Sequence, residues 1–146
     1  MSEKSGKPLA FKHGQKTREQ IDAAVRESVE RNAPQGELPC AVAFRLADEL
    51  QQPPSVIGEA ADLLGIRLVK CQMGLFGYAP DKKIVQTAAA VDSGLEEAIG
   101  RRLENGRLPC EAAWSLAREF KISRMGISAA CEALGVKIKP CQLGAF

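Results

Sequence analysis

Residues 36–76 and 106–146 lie over one another without a gap, at a constant offset that puts Cys40 over Cys110 and Cys71 over Cys141. Gly36-Glu37-Leu38-Pro39-Cys40 opens the first copy and Gly106-Arg107-Leu108-Pro109-Cys110 the second. Cys71-Gln72-Met73-Gly74-Leu75-Phe76 closes the one and Cys141-Gln142-Leu143-Gly144-Ala145-Phe146 the other. An ungapped match of this length means that one supersecondary unit, its internal turns included, is used twice. Function is therefore sought in that unit and in how its copies face one another.

Each copy reads helix, helix, turn, helix, strand. Thr17 to Asn32 carries Ile21, Ala24, Val25 and Val29 on one face, with Thr17 as cap and Gln20 three residues on. Its counterpart runs from about Ala90 to Glu104. Pro39 and Pro109 suit the first turn of the next helix, where a missing N–H is not needed. The first of these helices stops before Pro53-Pro54, because proline disfavours helical geometry in the residue ahead of it. Ser55 to Leu64 and Arg124 to Leu134 are third helices, ended by Gly65 and Gly135. Ile66 to Lys70 and Val136 to Lys139 follow as short strands. A lone strand needs a partner. Either the two strands pair across a pseudo-twofold axis, or Ile84-Val85 returns as the second strand of a wing-like hairpin. The expected division is a flexible basic leader at 1–15, repeat 1 at 16–76, a linker at 77–86 and repeat 2 at 87–146, in a mainly α fold.

Composition removes several classes of function. With 146 residues, 45% of them hydrophobic, the chain can bury an ordinary core. No apolar run reaches bilayer length and no signal-peptide pattern opens the chain, so a cytoplasmic location is expected. A net charge of +2 gives no global field for nucleic acid, so a local patch would have to hold it. The single histidine, His13, lies in the leader, which leaves histidine-dependent catalysis without a residue. No base, nucleophile and anion pocket come together, and the expectation is a protein that is not an enzyme and carries no cofactor.

In the second copy, Leu116-Ala117-Arg118-Glu119-Phe120-Lys121-Ile122-Ser123-Arg124-Met125-Gly126-Ile127-Ser128 resembles the helix-turn-helix motif of bacterial transcription regulators. Ala117 stands where that motif wants a small residue, Phe120 and Ile122 where it wants apolar ones, Ser123 at the cap and Ile127 at the anchor. Ala47, Leu50 and Ile57 match in the first copy, whose turn departs from the pattern at Gln52-Pro53-Pro54. With a strand behind each motif, the unit resembles a reduced winged-helix domain.

The resemblance implies that the last helix of each motif enters the major groove of DNA. Its outward positions are Arg124, Met125, Ser128, Ala129 and Glu132 in repeat 2, and Pro54, Ser55, Gly58, Glu59 and Asp62 in repeat 1. Two carboxylates make the first copy a poor DNA reader. Arg118, Lys121, Arg124, Lys137 and Lys139 could assemble a basic patch in the second, with Arg101, Arg102 and Arg107 nearby in sequence. The first functional expectation is therefore a DNA-binding regulator of transcription, led by repeat 2. A protein-interaction module, or an accessory to an enzyme complex, is the second. The sequence names no small-molecule ligand and no membrane partner.

A third reading rests on the repeated thiols. Cys40 and Cys110 sit at helix starts, where orphan N–H groups stabilise thiolate, and Cys71 and Cys141 follow the strands. If strand and helix start adjoin, each copy brings two sulfurs together for zinc or a redox switch. No pair has C-x-x-C spacing, and buried free cysteine also serves packing alone. Five cysteines, an odd number, favour reduced thiols.

Overall fold

A computed structural model describes residues 21–145. The leader at 1–15, the Thr17 cap, His13 and Phe146 lie outside the described residues. The described chain is mainly helical. In order, its elements are α1 (Ala23–Arg31), β1 (Glu37–Pro39), α2 (Cys40–Glu49), α3 (Pro54–Leu63), β2 (Arg67–Val69), α4 (Ser93–Arg102), β3 (Arg107–Leu108), α5 (Cys110–Phe120), α6 (Arg124–Leu134) and β4 (Lys137–Ile138). They form two compact units. The first holds residues 21–69 together with 143–145, and the second holds 70–142.

Local chemistry sets the helix ends. Asp22 caps α1 by accepting the Ala24 amide at 2.8 Å, and Asp92 caps α4 through the amides of Gly94 and Leu95. Both helices therefore begin later than apolar periodicity alone predicts, because an aspartate satisfies orphan donors where no earlier described side chain does so. Pro54 occupies the first turn of α3, and Ser123 caps α6 by accepting the Gly126 amide at 2.9 Å.

The strands pair in a way the sequence reading does not anticipate. Neither the pairing of 66–70 with 136–139 nor a wing hairpin from Ile84-Val85 is formed. Instead β2 runs parallel to β1, with Leu38 opposite Leu68, and β4 runs parallel to β3, with Leu108 opposite Ile138. The residues just before α2 and α5 are extended, so Pro39 and Pro109 are N-caps with φ −63° and −60° rather than helical residues. The ladder brings strand and helix start together: the Lys139 amide donates to the Leu108 carbonyl at 2.8 Å, and the Cys110 amide to the Pro140 carbonyl at 3.0 Å. The amides of Ile84 and Val85 both donate to the Gly74 carbonyl, at 2.9 and 3.2 Å.

In the first unit, Val25 and Val29 of α1, Leu38 of β1, Leu46 of α2, Ile57 of α3 and Leu143 are all buried. Gly58 faces Leu143 so closely that a Cβ there would lie 1.7 Å from the Leu143 carbonyl oxygen. In the second unit, Ile99, Leu108, Leu116, Ile127 and Ile138 form the core with Cys71 and Met73, which the chain delivers just after β2.

Candidate nucleic-acid interface

The pair α5 and α6 is joined by Lys121, Ile122 and Ser123. Lys121 adopts a left-handed φ of 56° and ends α5, while the Ile122 amide donates to the Ala117 carbonyl at 3.1 Å. Ala117 of α5 is buried, and Ile127 of α6 is inaccessible to solvent. Ile122, expected as the apolar residue of the turn, is instead 39% exposed.

The outward face of α6, on which base contacts are expected, is covered by the chain's own residues 72–88. The Arg124 guanidinium stacks 3.5 Å from the Trp114 ring centroid and donates to Gln72 Oε1. Gly74, with φ 77°, adjoins Met125: a Cβ there would come within 3.2 Å of the Met125 sulfur. Ser128 is 1% exposed. The Ala129 carbonyl accepts the Ala88 amide at 3.1 Å, and Glu132 pairs with Lys83 at 2.6 Å. The segment that reads as a linker at 77–86 thus belongs to the second unit's covering layer. Its sequence signal is the cluster of Met73, Leu75, Phe76, Ile84 and Val85, more apolar surface than a solvated connection carries.

In repeat 1 the corresponding positions are not an open face either. Gly58 meets Leu143, and Glu59, read as an outward carboxylate, is 4% exposed, a correction to that reading. Asp62 remains exposed.

The cations divide into paired and unpaired. Arg101 bonds with Glu97 and Arg102 with Glu119, at 3.9 and 3.6 Å. Arg118, Lys121 and Lys137 are exposed and Lys139 is half-buried, and none of the four has an ion-pair partner among the described residues. Charge is also unevenly shared. Residues 70–142 hold eleven Lys and Arg against eight Asp and Glu, a net +3, whereas residues 21–69 hold four against eight, a net −4.

Cys40, Cys71, Cys110 and Cys131 are buried, Cys141 is half-buried, and none of the five forms a disulfide. Cys110 accepts a hydrogen bond from Gln142 Nε2 at 3.4 Å, and Cys71 one from the Met73 amide at 3.4 Å. Burial pushes the Cys71 thiol up, opposed by the amides of Leu75 and Met73 and reinforced by Cys141 nearby. Among the described residues, no group of three or more His, Cys, Asp and Glu is placed to hold a metal ion.

Cys131 is pushed up to about 11, first by burial and then by Glu132. Because its folded value lies above the ordinary 9.0, its contribution to stability is complete below about pH 9 and is lost as pH rises towards 11. At about 1.4 kcal/mol for each pH unit, the loss should reach about 2–3 kcal/mol. Urea denaturation of the wild type and Cys131→Ala from pH 8 to 11 should show a shallower decline in the variant.

Comparison with protein-family models, curated proteins and solved structures finds no match for this chain. Among the described residues, no helix is long and apolar enough to cross a membrane.

Proposed function

We propose that the chain is a non-catalytic DNA-binding protein acting in transcriptional control, built of two helix-turn-helix repeats in a pseudo-twofold arrangement and led by the second. The observation that carries this reading is the excess of positive charge in the second unit, with Arg118 and Lys121 exposed at the end of α5 and in the turn before α6 and without an ion-pair partner among the described residues. Cations there suit phosphate oxygens beside a groove. The cover over α6 alters the mechanism inferred from the resemblance. Met125, Ser128 and Arg124 are engaged within the protein, so the reading assigns affinity to phosphate contacts by Arg118, Lys121, Lys137 and Lys139, with little direct base recognition by α6. Sequence preference should accordingly be shallow.

Fluorescence anisotropy of labelled duplexes across salt concentrations tests this reading. Arg118→Ala and Lys121→Ala should each flatten the dependence of log K on log salt by about one unit of slope, as loss of one phosphate contact requires. Arg124→Ala should leave the slope unchanged and lower stability through loss of the Trp114 stack. Absence of salt-dependent binding to any duplex at low ionic strength would refute the proposal. A second reading, a docking module for another protein, is favoured by the same covered face, since a helix that cannot reach a groove leaves recognition to other surfaces.

A further inference from the structure

The second unit contains a cleft of about 390 Å³ between α6, β4 and the covering segment. Its apolar walls are Leu75, Phe76, Val136 and Ile138. This volume lies at the lower end of the roughly 300–1,000 Å³ typical of small-molecule sites, which favours a compact ligand. The Ser128 hydroxyl beside it is buried without a hydrogen-bond partner among the described residues, and Cys131 adds a thiol to the lining. The apolar walls formed by Leu75, Phe76, Val136 and Ile138 suit hydrocarbon.

The rim supplies charge. Lys83 and Glu132 both border the cleft and neutralise one another at 2.6 Å. Lys137 also borders it and has no ion-pair partner among the described residues. In the parallel ladder Lys137 stands opposite Arg107, likewise exposed and without an ion-pair partner among the described residues. Like charges directly opposite one another destabilise a ladder. The first unit shows that the architecture does not require them, because its corresponding residues, Glu37 and Arg67, form an ion pair. Lys137 on the rim of an apolar cleft, with Arg107 opposite it in the ladder, is complementary to an anion that carries an apolar body.

We propose that this cleft binds a small amphipathic carboxylate. Its hydrocarbon lies along Phe76, Val136 and Ile138, and its carboxylate is held by Lys137 with Arg107 one strand away. This inference is independent of DNA binding, since its readout uses the protein alone.

The test is titration of the ¹⁵N-labelled full chain with octanoate, followed by amide chemical shifts. Saturable shifts should centre on Phe76, Ser128, Val136 and Ile138. Acetate, lacking the apolar body, and octanol, lacking the charge, should each bind at least about tenfold more weakly if both halves of the site contribute. Lys137→Glu and the milder Lys137→Met should weaken octanoate binding by about tenfold or more. Arg101→Glu makes the same charge change on α4 and should not weaken it. Shifts scattered over the surface, equal binding of octanol, or equal effects of Lys137→Glu and Arg101→Glu would overturn the proposal. Loss of DNA binding with octanoate binding intact would refute only the DNA reading.

Discussion

Gly58→Ala should destabilise the first unit by about 3 kcal/mol or more, at or beyond the upper end of the usual cost of overpacking. The added methyl would meet a backbone oxygen, since the Cβ position lies 1.7 Å from the Leu143 carbonyl oxygen and 2.7 Å from its carbon. A flexible side chain could rotate away, but a carbonyl moves only with its chain. Residues 143–145 should therefore leave the unit or α3 should shift. Urea denaturation gives the magnitude, and hydrogen exchange at 143–145 distinguishes the two outcomes. Unchanged stability together with unchanged exchange at those residues would contradict the close contact. Position 128, which aligns with 58 in the repeat, already carries a side chain as serine, so Ser128→Ala should cost far less.

Ile127→Ala should cost about 2–5 kcal/mol, because the residue is wholly buried where α6 packs on α5 and truncation leaves a cavity. Ala113, Ala117 and Ala130 of the same core cluster are small and cannot swing in to fill the space. Val136→Ala, at a half-buried position beside the cleft, should cost less, and guanidinium denaturation can rank the two. If Ile127→Ala proves as mild as Val136→Ala, the helix crossing is not packed as described.

The helices are legible in the sequence because their apolar residues recur at helical spacing. Ala113, Leu116, Ala117 and Phe120 define the inner face of α5, and Ala130 with Ile127 that of α6. The strands before α2 and α5 are not legible. Two or three residues are too few for alternation to show, and Pro39 reads equally well as a helix opener. Helix starts at Asp22 and Asp92 are likewise displaced from the apolar pattern, since capping depends on one side chain rather than on periodicity.

At the candidate site, the capped turn and buried Ile127 follow from local pattern, but the cover does not. Gln72 reaches Arg124 and Lys83 reaches Glu132 across 52 and 49 positions of sequence, distances over which helical periodicity carries no information. Gly77, Pro80 and Asp81 also give the covering segment the composition of a connection. The partnership of Lys137 with Arg107 is hidden for a related reason: it depends on strand register, which the sequence reading assigns to different partners.

The membership of residues 143–145 in the first unit bears on how the protein emerges from a ribosome. The body of that unit, 21–69, is synthesised first, yet Leu143 arrives only after all of 70–142 has been made. Throughout that interval the Gly58 side of α3 lacks its final neighbour. The unit begun earliest is thus completed latest, and its last contact joins positions 85 residues apart in sequence. Closing so long a loop is entropically costly, which places this contact among the late events of folding. Nascent chains arrested before residue 143 should accordingly be cleaved more readily near Gly58 than released ones.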